Sequence, residues 1–138
     1  MRSFAVALTA VLGFSVNAKA EPPNLVGDWT RTVLYSAQLG EHPGYPPAVT
    51  PRFSGGPAPD WKMKIDKQEA NSFSGTMQGP GGISETIIGT FQDDKRFVFA
   101  THIDTGSGEA TSDEFRYCWT TSTQRFVGTG CATFKRNK

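Results

Sequence analysis

The sequence predicts an all-β fold, and three observations carry that prediction. After the first twenty residues no segment sustains helical periodicity over three turns, whereas apolar and polar residues alternate with the period of a half-buried strand along most of the chain. Short clusters of Gly, Asn, Asp and Pro separate the alternating runs, as tight turns require. Two cysteines, Cys118 and Cys131, each sit inside such a run, with Ser122 to Arg125 as the turn-like stretch between them.

Taken in order, strands are expected near 25–35, 60–67, 72–78, 83–91, 96–103, 113–121 and 126–135. Trp61, Met63 and Ile65 alternate with Lys62, Lys64 and Asp66, and Phe73, Gly75 and Met77 alternate with Ser74, Thr76 and Gln78. Glu69-Ala70-Asn71, Pro80-Gly81-Gly82 and Gln92-Asp93-Asp94-Lys95 supply turn residues between them. Hairpin-joined strands make an antiparallel meander of seven or eight strands, whose single apolar face must pack on another sheet or close on itself. Residues 36–59 stand apart, because six prolines and Gly40, Gly44, Gly55 and Gly56 argue against a regular central strand. They are expected to form a Pro/Gly-rich loop in which Tyr45 and Phe53 either cover one end of the sheet as a lid or anchor the loop to the surface.

Residues 1–20 have the three parts of a secretory signal: Arg2 as the positive start, an apolar run from Phe4 to Val16 too short to span a bilayer, and Ala18-Lys19-Ala20 as a small-x-small cleavage site. Cleavage before Glu21 would leave a single domain over 21–138, secreted or periplasmic. Losing Arg2 and Lys19 from the 14 basic residues leaves 12 against 13 acidic ones, without a run of one sign, so no nucleic-acid or anionic-membrane partner is expected. In an oxidising compartment Cys118 and Cys131 are expected to pair. With His42 and His102 the only histidines, no metal or cofactor is expected.

The stretch Leu25-Val26-Gly27-Asp28-Trp29-Thr30 has the L-x-G-x-W-T form that opens avidin-like proteins, and its shorter G-x-W resembles the lipocalin start. Phe73-Ser74-Gly75-Thr76-Met77 is similar to the F-x-G-T-Y of a later avidin strand, Ile88-Gly89-Thr90-Phe91 to the next, and Val127-Gly128 with Thr133-Phe134-Lys135 to the last. The resemblance implies a small closed up-and-down barrel. It also implies that Trp29 plugs one end under a cation from the last strand, Lys135 or Arg136. The biotin contacts do not carry over. Met77 replaces the ligand-bonding tyrosine, Arg31 replaces an asparagine, and the pocket tryptophan is missing around Thr121 to Arg125. A thioether cannot donate the bond a phenol donates, so biotin is not expected as the ligand.

The last hairpin fixes a register. Cys118 opposite Cys131 places Arg116 opposite Thr133 and Thr120 opposite Thr129 on one polar face. Phe115, Tyr117, Trp119, Ala132 and Phe134 then form an aromatic face, expected inside around an apolar interior; the alternative is the polar face inside, with Arg116 and the threonines lining an avidin-style polar pocket.

Three chemistries meet in the segment after 101. Ile103-Asp104-Thr105-Gly106-Ser107 has the form of an aspartic-protease loop, but only 34 residues follow and no second carboxylate lobe is available. Asp104 to Glu109, with Asp113, has oxygen ligands without the spacing of a calcium loop. His102 and Asp104 would share a strand face as an acid–base pair. The plainer reading of 104–112 is a polar Gly-rich turn, with His102 capping it. The sequence thus points to a non-enzymatic exported barrel that binds a small, largely apolar ligand near Trp61, His102, Tyr117 and Trp119. The alternative is a protein partner, as for an inhibitor of a secreted hydrolase, bound through exposed loops or the Glu21-Pro22-Pro23-Asn24 tail.

Overall fold

The computed structural model describes residues 20–41 and 47–138, so the expected signal sequence, apart from Ala20, and Tyr45 of the expected lid lie outside the described residues. Among the described residues nine strands follow in order: β1 (Gly27–Gly40), β2 (Ala48–Pro57), β3 (Lys62–Glu69), β4 (Ser72–Gln78), β5 (Ser84–Phe91), β6 (Arg96–Ala100), β7 (Asp104–Ala110), β8 (Glu114–Ser122) and β9 (Phe126–Arg136). All pairs are antiparallel. The order is β2-β1-β3-β4-β5-β6-β7-β8-β9, and β9 pairs back on β1. Strand β1 with β3 to β9 is therefore a closed eight-stranded up-and-down barrel, and β2 is an extra strand.

Alternation sets the inside. Met63 and Ile65 of β3, Phe73, Gly75 and Met77 of β4, Ile87, Gly89 and Phe91 of β5, and Phe97 and Phe99 of β6 are buried, while the residues that alternate with them face outward. Phe115, fully buried, is the hub: its ring lies 6.1 Å from Trp29, 5.8 Å from Phe73 and 4.5 Å from Phe97 between centroids. Offset and edge-on contacts of this kind add about 0.5–1.5 kcal/mol each beyond area burial.

Two expectations about this region are corrected. Residues 104–112 are not a turn, because Asp104–Ala110 is barrel strand β7, paired with β6 and β8. Its composition disguised it. Gly106 and Gly108 face inward where an added Cβ would come within 2.6 Å of the Phe99 ring and 2.7 Å of the Phe97 ring, so the large aromatics of β6 fill the space that β7 leaves. Strand β6 correspondingly ends at Ala100 rather than 103.

The second correction concerns 36–59. Strand β1 runs on to Gly40, and β2 pairs with it from Val33↔Pro57 to Gly40↔Ala48. Strands β2 and β3 occupy the same edge of β1 in line, since β3 takes over at Thr30↔Lys62, with 58–61 as the interruption. The prolines are tolerated because, among the described residues, β2 has no partner on its other side, where a missing N–H costs no ladder bond. Phe53 is 77% exposed and does not cover the barrel.

The C-terminal hairpin has the expected register. Cys118 is opposite Cys131, Arg116 opposite Thr133 and Thr120 opposite Thr129. The disulfide, with an S–S bond of 2.04 Å, lies on the outer face, while Phe115, Tyr117, Ala132 and Phe134 are buried inside.

The two barrel ends differ. At one end Trp29 is fully buried and donates its indole N–H to the Leu25 carbonyl at 2.9 Å. Of the two cations expected to cover it, Arg136 does so, its guanidinium 4.5 Å from the ring centroid, while Lys135 turns outward to Glu114. Arg136 also donates to the carbonyls of Ser112 at 2.6 Å, Val26 at 2.8 Å and Asn24, tying three segments over the plug. That end is closed.

Candidate ligand site at the open end

The other end is ringed by the end of β1, the starts of β3, β5, β7 and β9, and the ends of β4, β6 and β8. A cavity of about 270 Å3 opens there. Its aromatic wall is Trp61, Tyr117 and Trp119, with Phe126 at the rim. Trp61, Tyr117 and Trp119 were expected at the site from sequence, and the fold brings them to one cavity. Trp119 is only half buried, and its ring lies against Gly130, where an added Cβ would come within 2.5 Å of it.

His102 is placed differently. The β6–β7 connection turns at Thr101–Ile103, and the Thr101 hydroxyl closes it by accepting from the backbone N–H of Ile103 at 3.3 Å and of Asp104 at 3.0 Å. The turn is thus closed by Thr101 rather than by His102, which is exposed. His102 lines a neighbouring rim groove of about 640 Å3, which shares Glu85 and Phe126 with the cavity. The turn also breaks the strand spacing that would have set His102 beside Asp104. Asp104 faces the barrel and accepts from the Thr121 hydroxyl. On strand β7 it lies on the opposite face from Glu109, which separates two of the three carboxylates of the calcium-loop reading.

The polar part of the site was not foreseen. Arg31 is buried, with its side chain only 7% exposed. Its guanidinium forms an ion pair with Asp60, donates to the Ala58 carbonyl at 3.0 Å and lies 5.7 Å from the Trp61 ring centroid. One side chain thus holds the 58–61 interruption against the inner wall. Just beyond it a bulge at Thr32, between Arg31↔Phe134 and Val33↔Thr133, reverses the alternation, so that Leu34, Ser36 and Gln38 line the cavity. Arg52 and Ser54 of β2 face it from the same side.

Across the barrel stands Glu85 on β5, a buried residue in the inward phase of Glu85, Ile87, Gly89 and Phe91. An acidic residue in the apolar phase of a strand was the signal available in the sequence. Tyr117 sits deepest, donating its hydroxyl to the Met77 sulfur at 3.9 Å. Burial pushes its phenol well above the usual tyrosine range. The charges of Asp104 and Glu85 push the same way, against that of Arg31. The hydroxyl is therefore a neutral donor throughout the physiological range.

No protein-family model matches the chain, and no curated protein sequence does. A solved structure described as a redesigned beta barrel is similar over 83% of this chain and 92% of its own, at 15% identity and a TM-score of 0.46.

Proposed function

We propose that this chain is an exported, non-enzymatic barrel that holds a small, largely apolar molecule in the cavity at its open end. The observation that carries the reading is the cavity of about 270 Å3 walled by Trp61, Tyr117 and Trp119, with buried Arg31 and Glu85 directed to the same space. An apolar wall with a few convergent polar groups is how small-molecule sites combine affinity with orientation. The opposite end is filled by Trp29 under Arg136.

Export is supported by the N-terminal pattern of the sequence and by the Cys118–Cys131 disulfide, which is compatible with an oxidising compartment. A non-enzymatic role is supported by the separation of His102, exposed in its turn, from Asp104 inside the barrel. Native mass spectrometry of the protein recovered from the exported fraction of its own host tests the reading. A retained small molecule, lost from Trp61→Ala, is the expected result, and a bare polypeptide mass contradicts it.

One observation favours the alternative of a protein partner. Tyr35, Leu39, Phe53 and Val127 are exposed together on the outer face of β2, β1 and β9, beside the disulfide. The Glu21-Pro22-Pro23-Asn24 tail is held at the closed end, where the Pro23 carbonyl accepts from Gln68 at 3.0 Å and the Asn24 carbonyl from Arg136. Inhibition of a secreted hydrolase that is lost in Tyr35→Asp and Phe53→Asp, with the cavity intact, would establish that reading.

A further inference from the structure

Among the described residues β2 is the one strand with a single neighbour, and two backbone bonds fix which of its groups face away from that neighbour. Glu41 donates its N–H to the Arg125 carbonyl at 2.8 Å, and Ala58 donates to the Thr32 carbonyl at 3.1 Å. Beyond the bulge the odd-numbered residues of β1 therefore bond toward β9 and the even-numbered ones toward β2. On β2, Arg52, Ser54 and Gly56 thus turn their N–H and C=O groups to β1, while Phe53 and Gly55, opposite Ala37 and Tyr35, turn theirs outward. Phe53, Ser54 and Gly55 are all exposed.

Prolines on an edge ordinarily discourage further pairing. On this edge they select one pairing. Pro51 and Pro57 take the outward positions on either side of Phe53 and Gly55, so the remaining donors are symmetric about Ser54. A second β2 laid antiparallel about a twofold axis at Ser54 sets Phe53 opposite Gly55 of the other copy and Pro51 opposite Pro57. Proline then meets proline, and both Phe53–Gly55 pairs exchange their bonds in full. A slip of two residues in either direction sets Phe53 or Gly55 against a proline and loses a bond.

The side chains fit the same axis. On the outer face Tyr35 lies against Gly55, where an added Cβ would come within 2.9 Å of its ring, and Phe53 stands beside Ala37. In the paired sheet each Phe53 enters the gap over the other copy's Gly55, next to that copy's Tyr35, a large side chain against a small one. The outer rows Cys131-Tyr35-Gly55 and Thr129-Ala37-Phe53 hold no charged residue, so a partner of opposite charge has nothing to read there. On the inner face each Arg52 is set opposite Gly56 and not opposite its own copy.

We propose that β2 pairs with β2 of a second copy of this chain, forming an isologous dimer about Ser54. It places a second copy where the alternative reading places a foreign protein, and it is independent of what the cavity holds.

The twofold puts Ser54 directly opposite itself at a position without hydrogen bonds, where Cα atoms lie about 4.5 Å apart, within disulfide range. Ser54→Cys in the mature chain should therefore oxidise in air to a covalent dimer, whereas Thr86→Cys, exposed on β5, should stay monomeric. Sedimentation equilibrium of the wild type should show a mass that rises with concentration to twice the monomer, with a dissociation constant in the micromolar range. Phe53→Asp should be monomeric with unchanged far-ultraviolet dichroism. A wild type that stays monomeric at every concentration overturns the proposal. A wild-type dimer in which Ser54→Cys keeps its free thiol also overturns it, because the contact then lies on another surface. Slow hydrogen exchange of the Phe53 and Gly55 amides in a monomer would show the edge covered within the chain, and overturns it as well.

Discussion

The guanidinium of Arg136 lies 4.5 Å from the centre of the Trp29 ring, and its donors hold the carbonyls of Asn24, Val26 and Ser112 around the same spot. One side chain from the last strand therefore closes the barrel end that the first strand's tryptophan fills. Arg136→Ala should lower stability by about 1–3 kcal/mol, from the lost cation–π contact and charged hydrogen bonds. Arg136→Lys keeps the charge but not the planar fork, and should recover less than half of that loss. Urea unfolding of the three proteins decides it, and unchanged midpoints for both variants would mean that the plug stands without its cover.

The β5–β6 turn carries a pH dependence. Asp93 accepts from the backbone N–H of Arg96 at 2.7 Å and of Lys95 at 2.9 Å, and from the Arg96 side chain at 2.6 Å. These bonds, the Arg96 backbone one foremost, lower its pKa to about 2 from an ordinary 3.8. A carboxylate depressed in the folded state stabilises the fold fully above its unfolded pKa, and that contribution disappears as pH falls through the folded value. The melting temperatures of wild type and Asp93→Asn should therefore differ above pH about 4 and converge toward pH about 2. Parallel curves across that range would show that Asp93 does not anchor the turn.

The disulfide lies outside the barrel, so its removal should leave the interior intact. Cys118→Ala with Cys131→Ala should keep the same far-ultraviolet and near-ultraviolet dichroism and lose about 2–4 kcal/mol, as expected for a 13-residue separation. Register is held independently by Phe115 opposite Phe134 and Tyr117 opposite Ala132 on the buried face. Loss of near-ultraviolet signal in the double variant would show that the covalent bond, rather than the aromatic face, fixes the hairpin.

Stability and binding should separate between two aromatic residues on the same strand. Phe115 is fully buried at the centre of the ring cluster, and Phe115→Ala should cost about 3–5 kcal/mol. Reading Trp119 as a core residue from sequence alone assigns it the same cost. Its half-buried position at the cavity reduces the expected loss to about 1–2 kcal/mol, with the effect falling on ligand binding instead. Chemical denaturation of Phe115→Ala and Trp119→Ala checks the order, and equal losses would place Trp119 in the core.

What the sequence disclosed followed alternation. Strands such as Lys62–Glu69 and Ser72–Gln78, and the Cys118↔Cys131 register, are legible because apolar side chains recur at every second position. Asp104–Ala110 escaped because its inward positions are glycines, whose role is visible only once Phe97 and Phe99 are seen to fill their space. Ala48–Pro57 escaped because prolines that would break a central strand are harmless on an edge, and only the topology makes β2 an edge. In the site, the aromatic wall was legible and its charges were not. Asp60 reaches Arg31 across 29 residues of sequence, and Asp104 meets Thr121 across 17. Asp104 faces Thr121 only because 104–110 is strand β7 paired with β8, and Asp60 lies in the interruption between β2 and β3 beside β1.

The three tryptophans of the chain divide between the two ends, Trp29 under the plug and Trp61 and Trp119 at the cavity. Their indole N–H resonances can be followed separately in a nitrogen-15 correlation spectrum while phenethylamine, 2-phenylethanol and phenylacetate are added together. A ligand site at the open end predicts saturable shifts of Trp61 and Trp119 with Trp29 unmoved. Shifts at Trp29, or at the amides of Tyr35 and Phe53 with both open-end tryptophans silent, would contradict the assignment of the cavity as the site.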